Sequence, residues 1–248
     1  WQTDTYILRD KDTKNLFFAK ASHYEITKYT PTPNLTINQE SNLLSRIKYP
    51  SIIKFVGFSQ IDLERKNKHV MVTEYCRNGS LNSILKDKKI KINDTHKLII
   101  LFGIASGMLY LKSNQIIFRN LNTKNILLDD NLFPKISGFQ LAKQYDSIPY
   151  ILADIEGEPI YIAPEIWENW KYSEASDVYA FSMIAYQLLA EQIPFQNMNA
   201  KEISEKVKEN QRPDINSINM PESYKNLIQN CWSQEPEKRP SFDQIVNL

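Results

Sequence analysis

Near residues 74–79 the sequence changes its period, and that change limits the architectures open to the chain. Upstream, short apolar runs read as strands. Tyr6-Ile-Leu and Leu16-Phe-Phe-Ala flank a polar stretch at residues 9–15, which predicts a hairpin. Ile52-Ile-Lys-Phe-Val and His69-Val-Met-Val-Thr predict two further strands. One helix interrupts them. Pro31 and Pro33 break the chain, and Leu43, Leu44 and Ile47 then recur at helical spacing within residues 37–47. Downstream the helical period takes over, with a short helix at 81–85 and a long one over Asp94–Ser113, capped by Asp94 or Thr95. Brief extended pieces at 116–118, 126–128 and 134–136 follow. From Ala175 onward come three or four helices, punctuated by Pro194, Pro213, Pro221, Pro236 and Pro240. Strands gathered in one part and helices in the other make an α+β unit of two lobes, residues 1–75 and 76–248.

Composition narrows the function classes. A chain of 248 residues suffices for one large domain or two small ones. Thirty Lys+Arg against 29 Asp+Glu leave a net charge of +1, so there is no broad basic field for nucleic acid or anionic lipid. The most apolar run, residues 98–111, is shorter than the roughly 18 residues a membrane span needs and reads as a buried helix. Cys76 and Cys231 are too few for a disulfide framework, which favours a reducing, cytoplasmic setting. The chain opens at Trp1, so it reads as one domain of a longer protein. His23, His69 and His96 are isolated and suggest no metal set. The charge runs at 65–68 and 86–91 read as solvated loop surface, and Trp167, Trp170 and Trp232 as core anchors.

Several segments carry chemistry, and they fall into one order. Phe118-Arg119-Asn120-Leu121 with Asn125 resembles the H-R-D-L-x-x-x-N catalytic loop of protein kinases; Ser137-Gly138-Phe139 stands where D-F-G belongs, and Ala163-Pro164-Glu165 is A-P-E. Phe17-Phe18-Ala19-Lys20 is similar to V-A-I-K, and Glu40, 20 positions beyond Lys20, matches its helix partner; Lys28 is the rival cation. Thr73-Glu74-Tyr75-Cys76 looks like the hinge between lobes, with Thr73 as gatekeeper. Asp177-Val-Tyr-Ala-Phe looks like the buried helix of the large lobe, and Cys231-Trp232 with Arg239-Pro240 like the closing helices. The resemblance covers essentially the whole chain and has a tyrosine-kinase-like flavour. It implies a bilobal fold, a small antiparallel β lobe with one helix above a larger, mainly helical lobe. It also implies a nucleotide pocket formed by Lys20, Phe18, Thr73, Glu74, Cys76 and Leu127, and an apolar spine of Leu44, Phe55, Phe118 and Phe139. Glu165 with Arg239 would form a structural ion pair, and Asp177 would hold the catalytic-loop backbone.

The departures from the pattern fall on the groups that act on phosphate. Asn120 replaces the aspartate base, and a neutral amide cannot accept the substrate proton. Gly138 replaces the metal-binding aspartate, which leaves Asn125 as the one remaining family ligand for a cation that wants hard oxygen donors. Asp129, Asp130 and Asp146 are the nearest substitutes. Phe18 stands where a small alanine roofs the adenine. No glycine precedes Gly57, and the third glycine of the phosphate loop aligns with Thr3, so the first strand and that loop are expected upstream of this chain. Glu158 replaces the threonine of G-T-P-x-Y; Tyr145, Ser147 and Tyr150 are phosphorylatable, with Arg119 able to pair the phosphate. The resemblance then implies a pseudokinase that acts as an allosteric or scaffold module for other signalling proteins, an active kinase among them, with neither ATP nor magnesium as a working cofactor. A weak or unconventional Ser/Thr or Tyr kinase, and a nucleotide-binding switch without transfer, are the alternatives.

Overall fold

The computed structural model describes residues 3–25, 33–87, 90–145, 150–151 and 155–248, with no side-chain description at 33–36 and 150–151. Trp1, Lys28, Pro31, Asp146 and Ser147, named above, lie outside the described residues. Strands β1 (Thr3–Arg9) and β2 (Leu16–Ser22) form the expected hairpin, Thr3 facing Ser22 and Arg9 facing Leu16. Its turn is built by Asp10, whose carboxylate accepts the Asp12 and Thr13 N–H groups and the Thr13 hydroxyl. Helix α1 (Pro33–Leu44), strands β3 (Phe55–Ile61) and β4 (Asn67–Glu74) complete a four-stranded antiparallel sheet in the order β1-β2-β4-β3, with the helix packed beside it.

Two expectations shift here. Pro33 opens α1 rather than interrupting it, because the first helical position needs no N–H donor. The strand expected at 52–56 begins only at Phe55. Ile52 and Ile53 are buried against the other half of the molecule instead: Ile52 bridges Ile136, and the Ile53 N–H donates to the Ile136 carbonyl. This apolar pair therefore joins the two portions of the fold.

The helical portion contains α2 (Leu81–Asp87), α3 (Asp94–Ser113), short strands β5 (Ile116–Ile117), β6 (Ile126–Leu128), β7 (Pro134–Ile136), β8 (Lys143–Gln144) and β9 (Tyr150–Ile151), then α4 (Pro164–Asn169), β10 (Lys171–Tyr172), α5 (Glu174–Ala190), α6 (Ala200–Lys208), α7 (Glu222–Cys231) and α8 (Phe242–Val246). The short strands pair as β5-β8, β6-β7 and β9-β10. Asn93, not Asp94 or Thr95, caps α3; its side chain accepts the His96 N–H at 2.8 Å. Gly103 and Gly107 let α3 lie close on β7. A Cβ at Gly107 would stand 2.7 Å from Ile136, and one at Gly103 would strike Pro134. The run at 98–111 is not buried throughout: Leu98 and Phe102 lie on the outer side of α3, 38% and 59% exposed. Helix α5 is buried along most of its length and centres the core.

A second, smaller apolar cluster lies on one face of the sheet, where Ala19, Ala21 and Val70 pack with Tyr6, Leu8 and Val72. Strand alternation puts Phe18 and Lys20 on the opposite face. Trp232 is buried and Trp167 packs on the core, but Trp170 ends α4 in a left-handed conformation and is 41% exposed, so it anchors nothing. Lys68 also departs from solvated-loop behaviour. It is buried, with its ammonium 3.5 Å from both Asp4 and Asp62. No helix among the described residues is long and apolar enough to cross a membrane.

Candidate functional site

The site forms where α1, β2 and the segment after β7 meet. Glu40 lies mid-helix and is 2% exposed. Its Oε2 accepts from the Lys20 ammonium at 3.0 Å, while Oε1 accepts the Phe139 backbone N–H, also at 3.0 Å. One carboxylate thus ties the sheet, the helix and residues 139–141 together. The Phe139 ring sits edge-on to Phe118, with centroids 4.9 Å apart. Leu44, one turn along α1 from Glu40, is buried in the same core, and Phe55 packs against it. The four spine residues therefore share one continuous apolar mass.

Below this, the catalytic-loop positions are joined by amides. Asn120 donates through Nδ2 to the Gly138 carbonyl at 2.8 Å. Asn122 and Asn125 both donate to the Asn120 carbonyl, at 2.9 and 2.8 Å. The Asn122 Oδ1 in turn accepts the N–H groups of Lys124 and Asn125. Gly138 has φ +82° and ψ +45°, a left-handed conformation that a bare glycine adopts freely. A Cβ at 138 would lie 2.6 Å from Asn125 Cγ and Oδ1, so the Asn125 amide already stands where a side chain would begin. A magnesium–nucleotide of the kind that active protein kinases hold does not fit this donor set. Neither 120 nor 138 offers a carboxylate. Asp129 spends Oδ1 on the N–H groups of Asn131 and Phe133, and Asp130 is paired with Arg77 at 3.7 Å.

The positions expected to surround an adenine lie along the hinge. Phe18 is half-buried and opposite Thr73 in the β2–β4 register. Thr73 is buried and donates to the Glu74 carbonyl; Glu74 accepts the Lys54 N–H at 2.8 Å and lies 3.6 Å from Lys135. Cys76 is buried, and burial pushes its thiol up to about 12, so it is a neutral group. Leu127 in β6 packs on the main core.

Two further arrangements hold the loop. Asp177 in α5 accepts the Phe118 N–H through Oδ2 at 3.1 Å, and the Arg119 N–H and Tyr172 hydroxyl through Oδ1 at 3.0 and 2.8 Å. Glu165 meets Arg239 bidentately, at 2.9 and 2.8 Å. Arg119 has φ +66°; its guanidinium lies 5.8 Å from the Tyr172 ring centre and 3.9 Å from Glu156. Lys124 pairs with Glu158 at 2.8 Å. No motif in the sequence marks Tyr172, Glu156 or Lys124 as part of the site. Tyr172 reaches Asp177 from a two-residue strand, and no periodicity marks such a contact. The two loop acids flanking Gly157, set against two catalytic-loop cations, were the available signal.

Burial pushes Asp177 up to about 6, against the hydrogen bonds that pull it down. The folded chain therefore holds this proton more tightly than the unfolded chain. The resulting stability is fullest below the unfolded value of 3.8 and is lost as pH rises through about 6. Asp177→Asn removes this titration and turns a donor toward one of the bound N–H groups. We expect a deficit of about 1–3 kcal/mol at pH 7, larger by roughly 2 kcal/mol near pH 4.5. Urea unfolding at both values checks this; a deficit that is equal, or greater at pH 7, would contradict it.

Comparison with known proteins places the chain. The family described as protein tyrosine and serine/threonine kinase matches residues 20–248. The chain is 34% identical over 211 residues to the RGS domain-containing serine/threonine-protein kinase A of Dictyostelium discoideum, covering 84% of this chain and 18% of that protein. It is 33% identical over 217 residues to serine/threonine-protein kinase 12 of Arabidopsis thaliana, covering 84% of this chain and 46% of the relative. The chain thus spans less than half the length of either. The matched relatives are named as serine/threonine kinases, and the tyrosine flavour of the hinge is not carried further by them. With its four-stranded sheet and single helix set on a helical portion, and with this match along nearly its whole length, the chain belongs to the protein kinase family in its bilobal α+β fold.

Proposed function

We propose that this kinase domain is catalytically impaired and works in signalling as a pseudokinase, an allosteric or scaffold binding module. The observation that carries the reading is the amide closure of the phosphate site. Asn120 offers an N–H donor to the Gly138 carbonyl where transfer needs a proton acceptor, and Asn125 lies where a metal-binding side chain at 138 would begin. Phe18 adds bulk on the sheet face that carries Lys20. The parts that keep the fold together, Glu40 with Phe139, Asp177 with the loop, and Glu165 with Arg239, are all in place. Chemistry has been removed selectively from a fold that is kept.

A second reading, a weak Ser/Thr kinase, draws on the Lys20–Glu40 contact and on the names of the relatives. Thermal unfolding with ATP, with and without magnesium, separates the two. A ligand at 100 times its dissociation constant stabilises by about 2.7 kcal/mol, a shift of roughly 5–10 °C at this size. We expect no magnesium-dependent shift; one of that size would overturn the reading. A shift equal with and without metal would identify a nucleotide-held switch.

A further inference from the structure

The four-stranded sheet ends in an unguarded strand. In the order β1-β2-β4-β3, β3 has β4 on one side and, among the described residues, no strand on the other. A free sheet edge presents unpaired N–H and C=O groups, and proteins ordinarily protect it with charge or proline. The stretch Phe55–Ile61 reads Phe-Val-Gly-Phe-Ser-Gln-Ile and holds neither. Its large side chains also face water: Val56, Phe58, Ile61 and, just beyond, Leu63 lie between 39% and 61% exposed. Apolar exposure this concentrated, within residues 56–63, differs from singly scattered surface residues.

Two irregularities shape this edge. β3 slips against β4 between Phe55 and Gly57, and again between Ser59 and Ile61. Phe55 faces Thr73, Phe58 faces Met71 and Ile61 faces Asn67, and these three β4 positions share one face by strand alternation. The slips thus bring Phe55, Phe58 and Ile61 to the same face of the sheet. They also stand symmetrically about Phe58. When the strand is laid antiparallel on a second copy about that residue, Phe58 meets Phe58, Gly57 meets Ser59, and Phe55 meets Ile61. Each slip of one copy then lies opposite the other slip of the second copy, so the register is kept. Small residues oppose small and large oppose large. A regular strand of another protein has no matching kinks.

The charges at the two ends agree with this pairing. Lys54 is exposed just before the strand, and Glu64, 63% exposed, lies just after it. Antiparallel pairing about Phe58 sets Lys54 beside the Asp62–Glu64 end of the second copy, with Glu64 at the diagonal reach of a long side chain. A net charge of +1 places little repulsion between two copies. The Ser59 hydroxyl accepts the Ile61 N–H at 3.1 Å and donates to the Ile61 carbonyl at 2.7 Å, which closes the open edge at that end.

We propose that two copies of this chain pair through β3, antiparallel about Phe58, into one sheet that runs across both. The two-fold closes the assembly, because it uses the same edge of each copy. So short a contact makes a weak, concentration-dependent dimer. The pairing stands whether or not the cleft transfers phosphate.

Sedimentation velocity at rising concentration reads the assembly, and hydrogen exchange of the amides at 55–61 reads its place. The expected result is a monomer–dimer equilibrium in which exchange at those amides slows as dimer forms. Phe58→Lys sets two like charges on the two-fold axis and should weaken the dimer at least tenfold. Lys54→Glu and Glu64→Lys change only exposed side chains. Each alone should weaken self-association at least threefold, and an equal mixture of the two should restore it, because each then supplies the charge the other lacks. Mixing would not rescue variants that had merely loosened the edge, so this arm decides the matter if Phe58→Lys melts early. A monomer at every concentration, growth beyond dimers, dimers indifferent to a folded Phe58→Lys, or a mixture that stays monomeric would overturn the proposal. A monomeric chain whose 55–61 amides are protected by a synthetic peptide of residues 54–63 would overturn it in favour of a strand from another protein.

Discussion

Replacement of Glu165 by alanine is expected to lower the stability of the domain by about 3–5 kcal/mol, because it strands a buried cation. The Arg239 side chain is 0% exposed. Two of its nitrogens hold the Glu165 carboxylate, Nη1 also donates to the Ala175 carbonyl at 2.8 Å, and Nε donates to the Ser233 carbonyl at 2.8 Å. Without Glu165 the guanidinium keeps its carbonyl partners and loses the counter-charge that meets it bidentately. The Ser176 hydroxyl, which donates to Glu165 at 2.7 Å, is left without its acceptor as well. Removal of both charges together, as in Glu165→Met with Arg239→Met, should cost less than the single change, since no buried charge then remains. Urea unfolding of the single and double variants measures the difference. A single-variant loss below about 1 kcal/mol would show that the pair behaves as an exposed one.

The second large effect we expect is an absence of phosphoryl transfer. Phosphoryl transfer depends on positioning, on metal ions that neutralise charge, and on a group to accept the hydroxyl proton. Here Lys20 and Glu40 are positioned, at 3.0 Å. At the acceptor position Asn120 presents an amide, one N–H of which donates to the Gly138 carbonyl. Loss of a general base alone lowers a rate by roughly 10²–10⁴. Loss of the metal-binding carboxylate compounds it. A return of Asp to 138 meets a left-handed backbone and requires the Asn125 amide to shift from its bond to the Asn120 carbonyl. Lys20 also has a structural use that needs no nucleotide, since Glu40 joins it to the Phe139 backbone.

Much of this was legible in the sequence. The hairpin, α3 and the α+β division follow from period and turn residues, and the spaced motifs marked which side chains would meet across the chain. What escaped reading were contacts between segments with no shared period. Ile52 and Ile53 look like a strand start, yet they bridge Ile136, because an apolar pair is equally at home between two packed portions. Lys68 looks like part of a solvated run, but Asp4 and Asp62 close over it. Trp170 looks like an anchor, but the left-handed end of α4 turns it outward. Within the site, residue types alone indicated that Asn120 and Gly138 lacked carboxylates. That Asn125 fills the vacated position is a matter of three-dimensional packing, and no spacing rule could have supplied it.

The measurement that bears most directly on this account is transfer of labelled γ-phosphate from ATP, with magnesium and separately with manganese, to the chain itself and to mixed Ser, Thr and Tyr peptides. Lys20→Met sets the background. The account predicts wild-type incorporation equal to that background under both metals; incorporation well above it, and abolished by Lys20→Met, would contradict it.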